Sequence, residues 1–337
     1  MQSFKPPIKN SANIAKNVFS LIKDEMVLVE AEFENQTRSN IQVVNYLGDY
    51  IRASGGKRLR PALLILAFRA LGSAQTGENV VRLATVMEML HTATLVHDDI
   101  IDNAVTRRNQ TSINARFGNQ TAVLMGDWLY MSAFETSLRE RSLEILDILT
   151  ELTRKMTEGE LLQLTMLGRT DISEAEYFDI LQRKTAYLFS ACCEIGAILG
   201  GASTEQKKAL RDYGKNLGIA FQLADDLLDF TADKKVIGKA SGTDLLEGKL
   251  TLPLILLNEI DPALSGELQT IMRDGAYENG SRKTLLSKLE DRGILEETRQ
   301  IAYDFCENAK KNLEVLPKTE YRMALEEIPI YMIERSK

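Results

Sequence analysis

Between Pro61 and Pro253 the chain runs 191 residues without a proline, and this gap constrains the fold more than any other feature. Proline lacks the amide hydrogen and clashes with the preceding turn, so it is the strongest breaker of a helix interior. Within the gap, apolar residues recur at spacings of three and four, as in Leu143, Leu146, Leu149, Leu152 and Met156. That recurrence is the period of a helix. Ser173-x-x-Glu176 and Ser203-x-x-Gln206 match the capping box, in which each partner satisfies a backbone N–H that the first helical turn leaves unpaired. No period-two run bounded by turn residues reads as a strand. The pattern predicts an all-α bundle in one domain spanning 1–337. Helices are expected near 12–35, 40–53, 60–71, 79–103, 119–140, 143–167, 174–200, 205–231 and 251–258, with shorter ones to the end.

Two of these segments, Val80 to Val96 and Leu217 to Leu228, are apolar nearly all round and belong inside a bundle. Both end in aspartates. Asp98-Asp99-x-x-Asp102 places Asp98 and Asp102 one turn apart with Asp99 beside them, and Asp225-Asp226-x-x-Asp229 repeats the spacing 127 residues later. Like charges so placed near a core are costly unless something positive binds there. Carboxylate oxygens suit Mg²⁺, which takes a few carboxylates, several waters and substrate phosphates. One such set alone is a weak signal. Two sets facing each other across a cavity would cage a diphosphate and its metal ions.

The formal charge of −7 argues against nucleic acid as the main partner. Basic residues nonetheless gather at Lys57-Arg58-x-Arg60 and at Arg107-Arg108. Gly55-Gly56 precedes the first group and Pro61 follows it, a Gly-rich turn entering a helix, where backbone N–H groups and cations can converge on phosphate. The segment from Gly242 to Gly248-Lys249 has five intervening residues and is not a Walker loop. Of the two histidines, His91 lies two turns before Asp98 and is expected at the cavity, whereas His97 is expected to be structural. Cys192, Cys193 and Cys306 offer no metal or disulfide spacing and read as buried free thiols. The N-terminal residues show no signal-peptide pattern and no apolar run reaches the ~18 to 20 residues of a membrane span, so a cytoplasmic protein is expected.

Taken together, GGKRLRP (55–61), HTATLVHDDIIDNAVTRRN (91–109), GDWLY (126–130), KTAYLF (184–189), FQLADDLLD (221–229) and GTDLLEGKLTLP (242–253) resemble the trans-polyprenyl (E-isoprenyl) diphosphate synthases. Within that family the chain is most similar to bacterial octaprenyl and related long-chain enzymes. The resemblance implies the isoprenoid synthase fold, a bundle of antiparallel helices around a deep central cavity, and a homodimer. It implies Mg²⁺, up to three ions with the allylic diphosphate bound, on Asp98, Asp102 and Asp225, with Asp99, Asp226 and Asp229 in support. Lys57, Arg60, His91 and Arg108 would hold isopentenyl diphosphate. Arg107, Lys184, Lys239 and Lys249 would hold an allylic diphosphate such as farnesyl diphosphate, with Thr185 and Gln222 facing its reacting carbon. Ala240 and Leu250 stand where the family often has proline, which bears on the loop carrying Lys239 and Lys249.

Small residues below the first aspartate set suggest room for a long product. Ala93 and Thr94 occupy positions where short-chain members often carry aromatic rings, Ala133 and Ser137 leave further space, and Met89 and Leu149 would form a deeper floor. The expected product is C30 to C50, with C40 favoured by the resemblance, for a quinone side chain. Three other readings stay open: a short-chain farnesyl or geranylgeranyl diphosphate synthase, a terpene cyclase, and a non-catalytic partner subunit. A cyclase would normally replace the second aspartate set and lack the GGKRLRP turn, and a non-catalytic subunit need not keep both aspartate sets.

Overall fold

The computed structural model of the protein describes residues 11–73, 75–108, 110–231, 242–278 and 280–334. Helices α1 (Ser11–Ser20) and α2 (Lys23–Gln36) stand in place of the single helix expected over 12–35, with the buried Ile22 between them. They are followed by α3 (Gln42–Ala53), α4 (Leu59–Ala70) and α5 (Glu78–Ile101). In α4, Leu63, Leu64, Ile65 and Leu66 are all fully buried, so this helix has no solvent face there. Each such side chain contributes roughly 2 kcal/mol by leaving water.

After α5 the chain forms a hairpin that the sequence reading did not expect. Strands β1 (Thr106–Arg107) and β2 (Gln110–Thr111) pair antiparallel, with Thr106 opposite Thr111 and Arg107 opposite Gln110. Two-residue strands are too short for a period-two pattern to register. The chain continues through α6 (Ile113–Phe117), α7 (Asn119–Ser137) and α8 (Leu143–Met166).

The helix expected over 174–200 is interrupted. α9 (Glu174–Leu181) passes through one π-helical turn, Gln182–Ala186, into α10 (Tyr187–Leu199). Both capping boxes form: Ser173 and Glu176 satisfy each other at the start of α9, and Ser203 and Gln206 at the start of α11 (Thr204–Thr231). The short α12 (Thr243–Leu246) and the apolar α13 (Leu252–Ile260) come next. α14 (Ser265–Asp274), α15 (Ser281–Asp291), α16 (Ile294–Asn312) and α17 (Glu320–Glu334) complete the bundle.

α10 packs against α4, α5, α8 and α11, which makes it the central helix. α5 is also lined by α2 and α7, and α11 by α16 and α17. This is the all-α bundle that the sequence predicts, and it brings Asp98 at the end of α5 and Asp226 near the end of α11 to the π-helical turn that leads into α10. The three cysteines are free and buried. No helix among the described residues is long and apolar enough to cross a membrane.

Candidate active site

The C-terminal end of α5 presents Asp98, Asp99 and Asp102. Burial pushes Asp98 up to about 6, and Lys184 is the largest opposing influence. Asp99 is buried and accepts from Arg107 Nε at 2.8 Å, with a second contact from the same guanidinium. Asp102, at the helix end, lies 3.1 Å from Lys249 Nζ. This ion pair joins the first aspartate set to the loop that follows the second, across 147 residues of chain. Lys249 is also 2.8 Å from Glu247; burial works against its charge, but Glu247 and Asp102 outweigh burial and raise its pKa.

On α11, Asp226 is buried and accepts from the Tyr177 hydroxyl at 2.5 Å and from Gln222 Nε2 at 2.9 Å. Burial raises its pKa, and Asp225 and Asp229 add to the shift. Asp229 receives the backbone N–H of Thr243 at 3.1 Å and of Asp244 at 3.3 Å, together with the Thr243 hydroxyl. It therefore anchors the start of α12, a role its place in the motif did not reveal. Asp225 is half-buried and its field reaches Arg60.

Lys184 and Thr185 sit in the π-helical turn, where Tyr187 N–H reaches back five residues to the Gln182 carbonyl. Such single turns mark sites where a helix is distorted for a local purpose. Two glycines let neighbouring helices press on it. A Cβ at Gly159 of α8 would meet the Lys184 backbone nitrogen at 2.9 Å, and one at Gly218 of α11 would meet Ala186 Cα at 2.6 Å. Lys184 Nζ lies 2.6 Å from Glu160 and 2.9 Å from Gln163, both on α8. Thr185 Oγ1 donates to Gln222 Oε1 at 3.0 Å, which fixes the Gln222 amide between Thr185 and Asp226. Lys184, Thr185, Gln222, Asp226 and Lys249 line a cavity of about 170 Å³. The three described cations expected at the allylic diphosphate, Arg107, Lys184 and Lys249, are each paired with a carboxylate: Asp99, Glu160 and Asp102 respectively. Lys239 lies outside the described residues, as does Ala240.

A second cavity of about 440 Å³ is lined by Lys57, Arg58, Arg60, His91 and Arg108, with Glu88 and Phe221 among its other walls. The four residues expected to bind isopentenyl diphosphate thus come together. The Arg60 guanidinium stacks over Phe189 at 4.8 Å and Phe221 at 5.5 Å, and its Nε is buried with no hydrogen-bond partner. Arg108 reaches the Gly55 carbonyl. His91 is buried, and burial followed by the field of Arg60 and Arg108 pushes its pKa well down, so it stays neutral at pH 7. Phe221 lines this cavity and Gln222 lines the first, so consecutive residues of α11 link the two.

His97 points away from both cavities, toward the Val123 carbonyl at 3.2 Å and the Tyr130 ring. A Cβ at Gly126 would collide with it. Ala93, Met89, Ala133, Ser137 and Leu149 are all buried, on α5, α7 and α8. Sequence reasoning missed Glu88, Glu160, Gln163, Tyr177 and Asp244 as parts of this region. Asp244 is strongly buried next to Asp226 and Asp229, and burial raises its pKa. Glu88 was visible as the one carboxylate between Glu78 and Asp98 on α5.

Hard oxygen donors suit a divalent cation, and the donor set fits one. Among the described residues, no three His, Cys, Asp or Glu side chains converge as a ready-made cage. Magnesium does not need one, because it keeps waters and is bound through one or two carboxylates plus substrate phosphates.

A family profile described as "Polyprenyl synthetase" matches residues 41–289. The octaprenyl diphosphate synthase of Escherichia coli is 40% identical over 313 residues, covering 92% of this chain and 95% of that protein. The geranylgeranyl diphosphate synthase of Methanosarcina mazei is 37% identical over 291 residues, covering 85% and 88%. The crystal structure of a Caulobacter crescentus polyprenyl synthase complexed with calcium and isoprenyl diphosphate superposes with a TM-score of 0.89 at 34% identity, covering 96% of this chain and 98% of that one. The chain belongs to the polyprenyl synthetase family and is a prenyltransferase.

Proposed function

We propose that the chain, as a single polyprenyl synthase domain, condenses isopentenyl diphosphate head-to-tail with an allylic diphosphate and releases a long all-trans polyprenyl diphosphate. The observation that carries this reading is the pair of cavities, one lined by Asp226, Asp244, Lys184 and Lys249 and one basic, linked through Phe221 and Gln222. Two diphosphates of different roles need two such sites. A site for ionising a single substrate, as a cyclase has, does not need the second.

Asp98, Asp102 and Asp225 are the residues to hold Mg²⁺, with Asp99, Asp226 and Asp229 held in place behind them by Arg107, by Tyr177 with Gln222, and by the Thr243 and Asp244 amides. When bound, the metal supplies charge neutralisation on the leaving diphosphate. Lys184 and Lys249 add positive charge on the same side, each released from its carboxylate as the diphosphate enters, while Arg107 adds its charge and keeps its hold on Asp99. The Gln222 amide oxygen and the Thr185 hydroxyl, fixed by their mutual hydrogen bond, face the electron-poor allylic carbon. Lys57, Arg60, Arg108 and neutral His91 orient the second diphosphate so that its double bond meets that carbon. The departing diphosphate takes the final proton, so the reaction needs no dedicated protein base. Water must be kept out, or the cation is hydrolysed.

A product of C30 to C50, with C40 favoured, rests on the small side chain of Ala93 at the core-facing side of α5 and on the likeness to octaprenyl enzymes. Side-chain supply for quinones, a cytoplasmic location and a homodimer belong to the same reading. The homodimer is supported by an exposed apolar stripe, Leu124, Met131 and Leu138, spaced by seven along α7 and the turn after it.

Supplying farnesyl diphosphate and Mg²⁺, with and without labelled isopentenyl diphosphate, separates this reading from a cyclase. The expected result is a labelled prenyl diphosphate only when both substrates are present. Release of a hydrocarbon from farnesyl diphosphate alone contradicts it.

A further inference from the structure

Glu88 is a carboxylate in the wall of a cavity that also carries the cations of Lys57, Arg58, Arg60 and Arg108. It is only 2% exposed, on an α5 surface whose neighbours Met87, Met89 and Leu90 are fully or almost fully buried. Among the described residues it is the one acid that lines the basic cavity. Its Oε1 accepts from Arg58 at 2.8 Å, while its Oε2 is buried with no hydrogen-bond partner. A buried charge half satisfied in this way is expensive, and a fixed anion in a diphosphate site weakens affinity unless it does something else.

What it does is visible at Arg58. This residue precedes α4 with φ 50° and ψ 36°, the left-handed conformation that side chains other than glycine seldom adopt. Three contacts hold it there. Glu88 of α5 takes one guanidinium nitrogen, Glu30 of α2 takes Nε at 2.5 Å and another nitrogen at 3.2 Å, and the guanidinium lies 5.5 Å from the centre of the Phe33 ring. Lys57 precedes this strained residue and Arg60 follows it by two, so the conformation at Arg58 sets where both cations point. Glu88 is also one helical turn before His91 and has the strongest field opposing the burial of Arg60.

Resting on the assignment of this cavity to isopentenyl diphosphate, we infer that Glu88 is a positioning residue for that substrate: through Arg58 it locks the left-handed turn that aims Lys57 and Arg60, and it serves as their counter-anion until the diphosphate arrives. The turn is thus tied to α5 and α2 from outside the substrate contacts themselves. Glu88 touches no reacting atom.

Glu88→Gln keeps the shape and one hydrogen bond but removes the charge. The expected result is a rise of about tenfold in KM for isopentenyl diphosphate, the order of one charge-assisted hydrogen bond, with kcat and the KM for the allylic substrate changed by less than about twofold. A merely structural role would lower the yield of folded protein without separating the two KM values. Unchanged or lowered KM for isopentenyl diphosphate, or equal changes for both substrates, overturns the inference. Should Glu88→Gln fail to fold, Glu30→Gln at the more exposed end of the same ion-pair chain is expected to raise that KM about threefold, about half the effect in free energy; no change there is equally fatal. Lys57→Ala serves as the control. If it raises the same KM and the Glu88 and Glu30 variants do not, only the role of Glu88 falls. If Lys57→Ala leaves it unchanged, the assignment of the cavity itself is wrong.

Discussion

Asp98 holds its proton up to about pH 6 because burial disfavours the carboxylate. Its folded pKa lies above the ordinary 3.8, so this group favours the metal-free fold while protonated. That contribution is complete below about pH 4 and is lost as pH rises through about 6. Metal binding runs the other way, since it needs the carboxylate and releases the proton. The Mg²⁺ concentration for half-maximal activity should therefore climb by up to about tenfold for each pH unit below 6. A requirement that stays flat between pH 7.5 and 5 would show that Asp98 does not meet the metal. Ala93 makes a second prediction on one side chain. Ala93→Phe should shorten the product while leaving the first condensation within about threefold of the parent rate, because volume added on the buried face of α5 blocks elongation rather than ionisation. Products of unchanged length would remove Ala93 from the chain-length argument.

The π-helical turn that carries Lys184 and Thr185 is packed closely by α8 and α11 from two sides at Gly159 and Gly218. Replacing Gly218 by Ala forces a Cβ to within 2.6 Å of Ala186 Cα, a backbone atom that cannot turn aside. The variant should lose about 1 to 3 kcal/mol of stability by chemical denaturation, as overpacked cores do, and its kcat should fall further than its allylic KM changes. A variant with parental stability and kcat would mean that the turn does not depend on this contact. The same element shows where sequence reading stopped. Helix positions, both capping boxes and the two aspartate sets were legible, since each is a local pattern of spacing and residue type. The π-turn was not, because the close packing around it comes from Gly159 and Gly218, which are distant in sequence and lie on other helices. Nor was the hairpin that places Arg107, whose strands are two residues long. Glu88 and Arg58 were each visible, but only the fold brings them together across 30 residues.

The molecule as a whole sets a cavity holding both aspartates and lysines beside a basic one, with α11 contributing to both and α5 to the basic one. The stripe of Leu124, Met131 and Leu138 lies on α7 and the turn beyond it, where burial against a second copy would remove apolar surface from water. Leu124→Glu combined with Met131→Glu should convert a dimer into a monomer by light scattering. A parent protein that is already monomeric would contradict the homodimer. The central claim concerns the two cavities acting together, and one measurement addresses it: the products formed from farnesyl diphosphate and labelled isopentenyl diphosphate with Mg²⁺, sized over time. The account predicts a labelled diphosphate one C5 unit longer than the primer, followed by a ladder reaching C30 to C50. No label in any prenyl diphosphate, whichever allylic primer is offered, would contradict it.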